Sequence, residues 1–161
     1  MNISYIKMWL MTAHIQPAVG VTILVSSMVY LNGANVTTTL LVATAVLTGQ
    51  LSVGLSNNYF DRFNDKRSRR TDKAIVNGAI AANQVIFLAA LLLITTIVLS
   101  LLVNTEAGLL HISAIAIGWS YNVNLKNTPI SIFCYMLAFA LIPSFVAEVN
   151  NTQNEILTTI A

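Results

Sequence analysis

The chain has 161 residues, of which 56% are hydrophobic and 9% charged, with a mean hydropathy of +0.73. A charged content about a third of the ~25% usual in soluble domains excludes an ordinary soluble enzyme and points to a protein whose partner is the lipid bilayer. The net charge of only +2 makes nucleic acid an unexpected partner, and the lone Cys134, inside an apolar segment, rules out an intrachain disulfide and reads as a small buried hydrophobe.

Residues 1 to 13 mix Tyr5, Lys7 and Trp9 with apolar side chains, a composition suited to a short amphipathic segment at headgroup level. The apolar stretch that follows is too long for a signal-peptide core and lacks a small-x-small cleavage pattern, so it is expected to be a retained span over about 15–31, with Pro17 tolerated near its start. Asn32-Gly33-Ala34-Asn35 signals a turn. A second run, 36–56, flows without a Gly or Pro break into a polar loop, 57–83. The third, 85–103, has no charge in 19 residues and is the clearest span. A polar turn at Asn104-Thr105-Glu106 leads to a fourth run, 109–123, which ends in the interfacial residues Trp119 and Tyr121. After the loop 124–129 comes a fifth run, 130–149, in which Pro143 is expected to produce a kink. The tail from Asn150 is too short to cross.

Five spans place the two ends on opposite sides, and the charges agree with that count. All eight basic residues, Lys7, six in the 57–73 stretch and Lys126, fall on one side, whereas Glu106, Glu148 and Glu155 fall on the other. Cytoplasmic loops carry the Lys and Arg excess, which predicts a multi-pass protein of the cell (inner) membrane with the N-terminus and both basic loops cytoplasmic and the C-terminus exterior. The spans must be helices, because backbone polar groups find no water in hydrocarbon. The expected fold is therefore an all-α integral membrane protein, a bundle of about five transmembrane helices.

Chemistry concentrates in Asn57–Lys73, NNYFDRFNDKRSRRTDK, which holds three of the six carboxylates. Asn57, Asp61 and Asp65 recur at i, i+4 and i+8, a spacing that returns each side chain to nearly one helix face. One amide oxygen and two carboxylates in such a ladder suit Mg²⁺, which keeps several waters and takes one or two carboxylates plus substrate phosphate oxygens. The basic run Lys66, Arg67, Arg69, Arg70 and Lys73 could hold the remainder of a phosphate, although its plainer role is to set topology or to contact anionic lipid. The ladder also has a plain reading, a solvated helix end whose aspartates pair with neighbouring bases. His14 and His111 fall at different ends of the predicted bundle and form no metal pair.

The segment GQLSVGLSNNYFDRFNDKRSRRTDKAIVNGAI, Gly49 to Ile80, resembles the first aspartate-rich region of the UbiA superfamily of intramembrane prenyltransferases, with its NDxxDxxxD pattern, basic segment and Gly-containing turn. SYNVNLKNTPISIFCYMLAFALIP, Ser120 to Pro143, is similar to the family's Tyr-x-x-x-x-Lys loop and the helix that follows it. The resemblance implies the first half of that helical bundle and the transfer of a polyprenyl group from its diphosphate to an acceptor, often aromatic. It further implies Mg²⁺ held by Asn57, Asp61 and Asp65, catalytic roles for Asp61, Asp65 and Lys126, and diphosphate contacts from Arg70, Lys73, Lys126 and Tyr121. Three departures stand out. Asn58 replaces a usual aspartate, Ala74 a frequent proline, and no aspartate follows Asp72, so the family's second aspartate-rich motif is missing. Two readings stay open: a prenyltransferase or its N-terminal portion, and a truncated or degenerate, non-catalytic membrane protein acting as an assembly partner.

Overall fold

The computed structural model describes the backbone from Ile3 to Ile160 and the side chains of residues 5 to 151. Among the described residues there is no strand, only six α-helices and one short 3₁₀ turn. These are α1 (Ile3–Thr12), α2 (Ile15–Leu31), α3 (Val36–Arg67), α4 (Ala82–Val103), α5 (Thr105–Val123) and α6 (Ser131–Ile160), with the 3₁₀ turn at Leu125–Asn127.

Local chemistry accounts for the helix limits. At the start of α3 the Asn35 side chain accepts from the Thr38 amide at 2.9 Å, and at the start of α5 Asn104 accepts from the Ala107 amide at 2.7 Å, each satisfying one donor that the first turn leaves open. Glu106 in the first turn of α5, and Lys66 and Arg67 in the last turn of α3, oppose the helix dipole with the favourable sign. Gly33 and Gly78 adopt φ of +103° and +79°, a left-handed backbone that glycine takes without strain in these two turns. Pro143 lies inside α6, which continues unbroken on both sides of it.

Length then decides where the charges go. The 32 residues of α3 at ~1.5 Å each reach about 48 Å, well beyond a ~30 Å hydrocarbon core, so its last turns, with Asp61 and Asp65, emerge from the apolar layer. Three segments, Val36–Arg67, Ala82–Val103 and Ser131–Asn151, are long and apolar enough to cross a membrane, and α1 with α2, bent by 59° at their junction, would make a fourth. The helix α5, interrupted by Glu106, His111 and Asn122, is not among them. Large apolar side chains such as Phe87, Leu102, Ile94 and Phe139 face outward, as a lipid solvent requires.

Successive helices run up and down, which leaves α3 and α5 parallel. Gly49, Val53 and Ser56 of α3 meet Ile115, Gly118 and Asn122 of α5 in the same order. Because lipid is as apolar as the helix surfaces, close backbone approach and interhelical hydrogen bonds carry much of the association. Ser52 Oγ donates to the Ala89 carbonyl (2.8 Å) and accepts from Trp119 Nε1 (3.1 Å), tying α3 to α4 and α5. Thr96 Oγ1 donates to Thr48 Oγ1 at 3.0 Å. Asn122 Nδ2 reaches both the Val53 carbonyl and Ser56 Oγ at 2.8 Å. One apolar cluster, around Val29, Val42, Phe145 and Val149, lies toward the Asn104 end, and another, around Leu55, Ile80, Val85 and Trp119, toward the end that carries the bases.

Gly54 marks the tightest approach, since a Cβ built there would lie 2.4 Å from the Ala13 carbonyl oxygen. Gly54→Ala is therefore expected to lower the Tm in detergent, with a loss of about 1–3 kcal/mol from overpacking. Gly20→Ala, where nothing lies within 4 Å, should leave it unchanged or raise it.

Candidate functional site

The charged end of the bundle is built on Asn58, which is 5% exposed despite following directly on the ladder residue Asn57. One residue turns a helix by about 100°, so Asn58 leaves the ladder face and points to the break between α1 and α2. There Asn58 Nδ2 donates to the Thr12 carbonyl and to His14 Nε2, both at 2.8 Å. His14 caps α2 from a left-handed backbone (φ 54°), unusual for a residue with a side chain, and the bond to Asn58 holds it there. From the 68–81 loop Lys73 Nζ returns to donate to Asn58 Oδ1 at 3.2 Å. This single amide thus joins α1, α2, α3 and the basic loop.

One turn along α3, Asp61 forms an ion pair and hydrogen bond with Lys126 of the 3₁₀ turn after α5. The two side chains are only 25% and 13% exposed, so each charge relies on the other in a poorly solvated setting. Asn57 and Asp65, a turn before and a turn after Asp61, share its helix face and are partly exposed. Arg70 is committed elsewhere. Its guanidinium grips Asp72 through two 3.1 Å bonds on the solvent-exposed loop. The Arg70 hydrogen bond holds the Asp72 carboxyl below its ordinary value of 3.8. A depressed carboxylate pKa stabilises the fold above the ordinary value, and that contribution disappears as pH falls through the depressed one.

Between α2, α3, α5 and α6 lies a partly open cavity of about 150 Å³. Its walls are mostly apolar (Val21, Val25, Leu110, Ile142) and its polar lining includes Gln50, Asn122 and Tyr121. The ring of Tyr121 meets Tyr135 of α6 edge-on, with centroids 4.7 Å apart.

Of the residues singled out from sequence, Asp61 and Lys126 touch, and Lys73 joins the same end through Asn58. Asn57 and Asp65 flank Asp61, Tyr121 lines the cavity, and Arg70 is held away by Asp72. Sequence reasoning passed over His14 and the structural part played by Asn58. The departure at Asn58 was the available signal, because an amide can donate twice and accept at once where a carboxylate only accepts. Among the described residues no three His, Cys, Asp or Glu side chains gather into a ready-made metal cage.

Asp61→Asn and Lys126→Met should each lower the Tm, because each leaves the other charge buried alone. The double variant should recover part of the loss, giving a coupling of about 1–3 kcal/mol in a double-mutant cycle. A coupling of zero would mean that the two charges act independently.

No curated protein and no solved structure matches the chain. Its helical architecture and the pairing of an aspartate-bearing helix with a lysine-bearing loop are accompanied by a match to one family model over residues 19–160, nearly the whole length. The chain is a member of the UbiA prenyltransferase family.

Proposed function

We propose that the chain, within a five-span membrane bundle whose basic end faces the cytoplasm, binds a polyprenyl diphosphate with Mg²⁺ and supports transfer of the prenyl group to an acceptor. The observation that carries this reading is the Asp61–Lys126 contact, which brings the second basic loop onto the acidic ladder. The donor set suits a substrate-bridged ion better than a resident one. Asn57, Asp61 and Asp65 offer one amide and two carboxylate oxygens along one helix face, and Mg²⁺ typically takes one or two carboxylates and completes its shell with waters and phosphate. Lys126 engages Asp61 through Oδ1, so an ion here would use the other carboxylate oxygen or displace the ammonium toward the phosphate.

When bound, Mg²⁺ would neutralise charge that builds on the leaving diphosphate. The remaining work falls to the chain. Lys126 and Lys73 add positive charge at the mouth, worth more there than in bulk water because the surroundings are poorly solvated. Arg70 could join them only by releasing Asp72. Tyr121, on the cavity wall five residues before Lys126, is placed for a polar contact between phosphate and chain. In the transfer, the allylic carbon–oxygen bond breaks with its electrons leaving on the diphosphate, the carbon bonds to the acceptor, and the acceptor gives up a proton. The apolar walls keep water from the allylic carbon while this happens.

A second reading, a non-catalytic half-bundle that partners another chain, is favoured by one feature. Among the described residues no carboxylate approaches the ladder from another helix, since Glu106 and Glu148 lie at the opposite end. The two readings separate in one measurement. Asp61→Asn should abolish Mg²⁺-dependent binding of a prenyl diphosphate in detergent, and Lys126→Met should weaken it at least tenfold. Unchanged binding in both variants would overturn the prenyltransferase reading for this chain.

A further inference from the structure

The ladder face of α3 continues inward to Gln50, which precedes Asn57 by about two helical turns and Asp61 by about three, and so lies ~10 Å and ~16 Å deeper along the axis. That depth is within the apolar layer. The Gln50 side chain borders the cavity, and among the described residues its amide has no hydrogen-bond partner. Polar side chains inside a span almost always face the bundle interior or a cavity and mark the path of a ligand. Neither polar atom of Gln50 is sealed, because the buried side-chain atoms without a partner among the described residues are His111 Nε2 and Asn150 Oδ1.

Asn122, also in the lining, is only 2% exposed. Its Nδ2 directs both hydrogens to α3, to the Val53 carbonyl and to Ser56 Oγ, each at 2.8 Å. A carbonyl only accepts, so the amide's orientation is fixed and Oδ1 is left as a free acceptor, again not sealed. Val53 and Ser56 follow Gln50 by one and two turns of α3, which separates the two amides by roughly 5–9 Å along the axis. Tyr121 and Tyr135, meeting edge-on, give the same cavity an aromatic wall.

We propose that this partly open cavity receives the prenyl acceptor, and that the acceptor is an uncharged ring held by polar groups between Gln50 and Asn122. Naming the molecule as acceptor rests on the prenyl-transfer reading, whereas its binding requires neither Mg²⁺ nor diphosphate. The absence of charge follows from the lining. Among the described residues no Lys, Arg, Asp or Glu borders the cavity, and Lys126 and Lys73 at the mouth are engaged by Asp61 and Asn58. A carboxylate placed there would give up its hydration without gaining a cation. A hydrocarbon tail is also a poor occupant, since it would leave the donor and acceptor of Gln50 unmatched. Asn122 Oδ1 calls for a donor such as a hydroxyl, and Gln50, which both donates and accepts, matches a carbonyl, an amide or a second hydroxyl. A volume of about 150 Å³ suits one six-membered ring, and the open side leaves room for substituents.

The test compares 4-hydroxybenzamide with 4-hydroxybenzoate, rings of nearly equal size that differ in charge at neutral pH. With the purified chain in detergent, protein-free detergent as blank, and neither Mg²⁺ nor prenyl diphosphate present, calorimetry should find the amide bound about tenfold more tightly. Gln50→Leu breaks no hydrogen bond within the protein and makes α3 more apolar, so its Tm should hold while its affinity for the amide falls about fivefold or more. A carboxylate bound as tightly as the amide by the unmodified chain, or no binding of the amide, would overturn the proposal even if Gln50→Leu fails to fold. Undiminished affinity for the amide in folded Gln50→Leu would overturn it too. Because the mixture holds no diphosphate, these results stand or fall separately from the Asp61→Asn measurement that decides the prenyl-transfer reading.

Discussion

The carboxamide of Asn58 occupies the position on which the charged end of the bundle depends. Both of its hydrogens are used, on the Thr12 carbonyl and on His14, and its oxygen accepts from Lys73. Each bond reaches a different part of the chain: the end of α1, the start of α2 and the loop before α4. In a low-dielectric setting an unmade bond to any of these groups would cost more than the same bond gains in water, so the amide acts as a fastener rather than as decoration. An aspartate in its place could accept from Lys73 but, ionised, could not donate to Thr12 or His14.

With that end fastened, the chemistry of the ladder follows from helix geometry. The residues at 57, 61 and 65 share one face of α3, while residue 58 is turned away into the protein. Two adjacent asparagines therefore take separate duties. Lys126 arrives from a 3₁₀ turn whose place is set by Asn122, one of whose amide hydrogen bonds holds the end of α5 to the Val53 carbonyl. The Asp61–Lys126 pair is consequently a product of how α5 docks on α3.

The interior follows a different rule. Between the helices, hydroxyls of Ser52, Thr96 and Ser100 find carbonyls or one another, leaving few polar atoms uncommitted. Among the described residues, His111 Nε2 and Asn150 Oδ1 are buried side-chain atoms without a hydrogen-bond partner. Tyr121 and Asn122 stand at the end of the cavity nearer the charged end of the bundle.

Much of the architecture was legible before any coordinates. Long apolar runs separated by Asn, Gly and Thr turns dictate helices in lipid, because no other structure satisfies the backbone there, and the i, i+4, i+8 spacing of Asn57, Asp61 and Asp65 places them on one face whatever surrounds α3. The direct contact of Lys126 with Asp61 and the parts played by Asn58 and His14 were not legible. Periodicity describes one helix at a time, whereas these contacts depend on which residues distant in sequence are brought within hydrogen-bond reach by packing. Local sequence decided the elements and their faces; tertiary structure alone decided which distant polar atoms became partners.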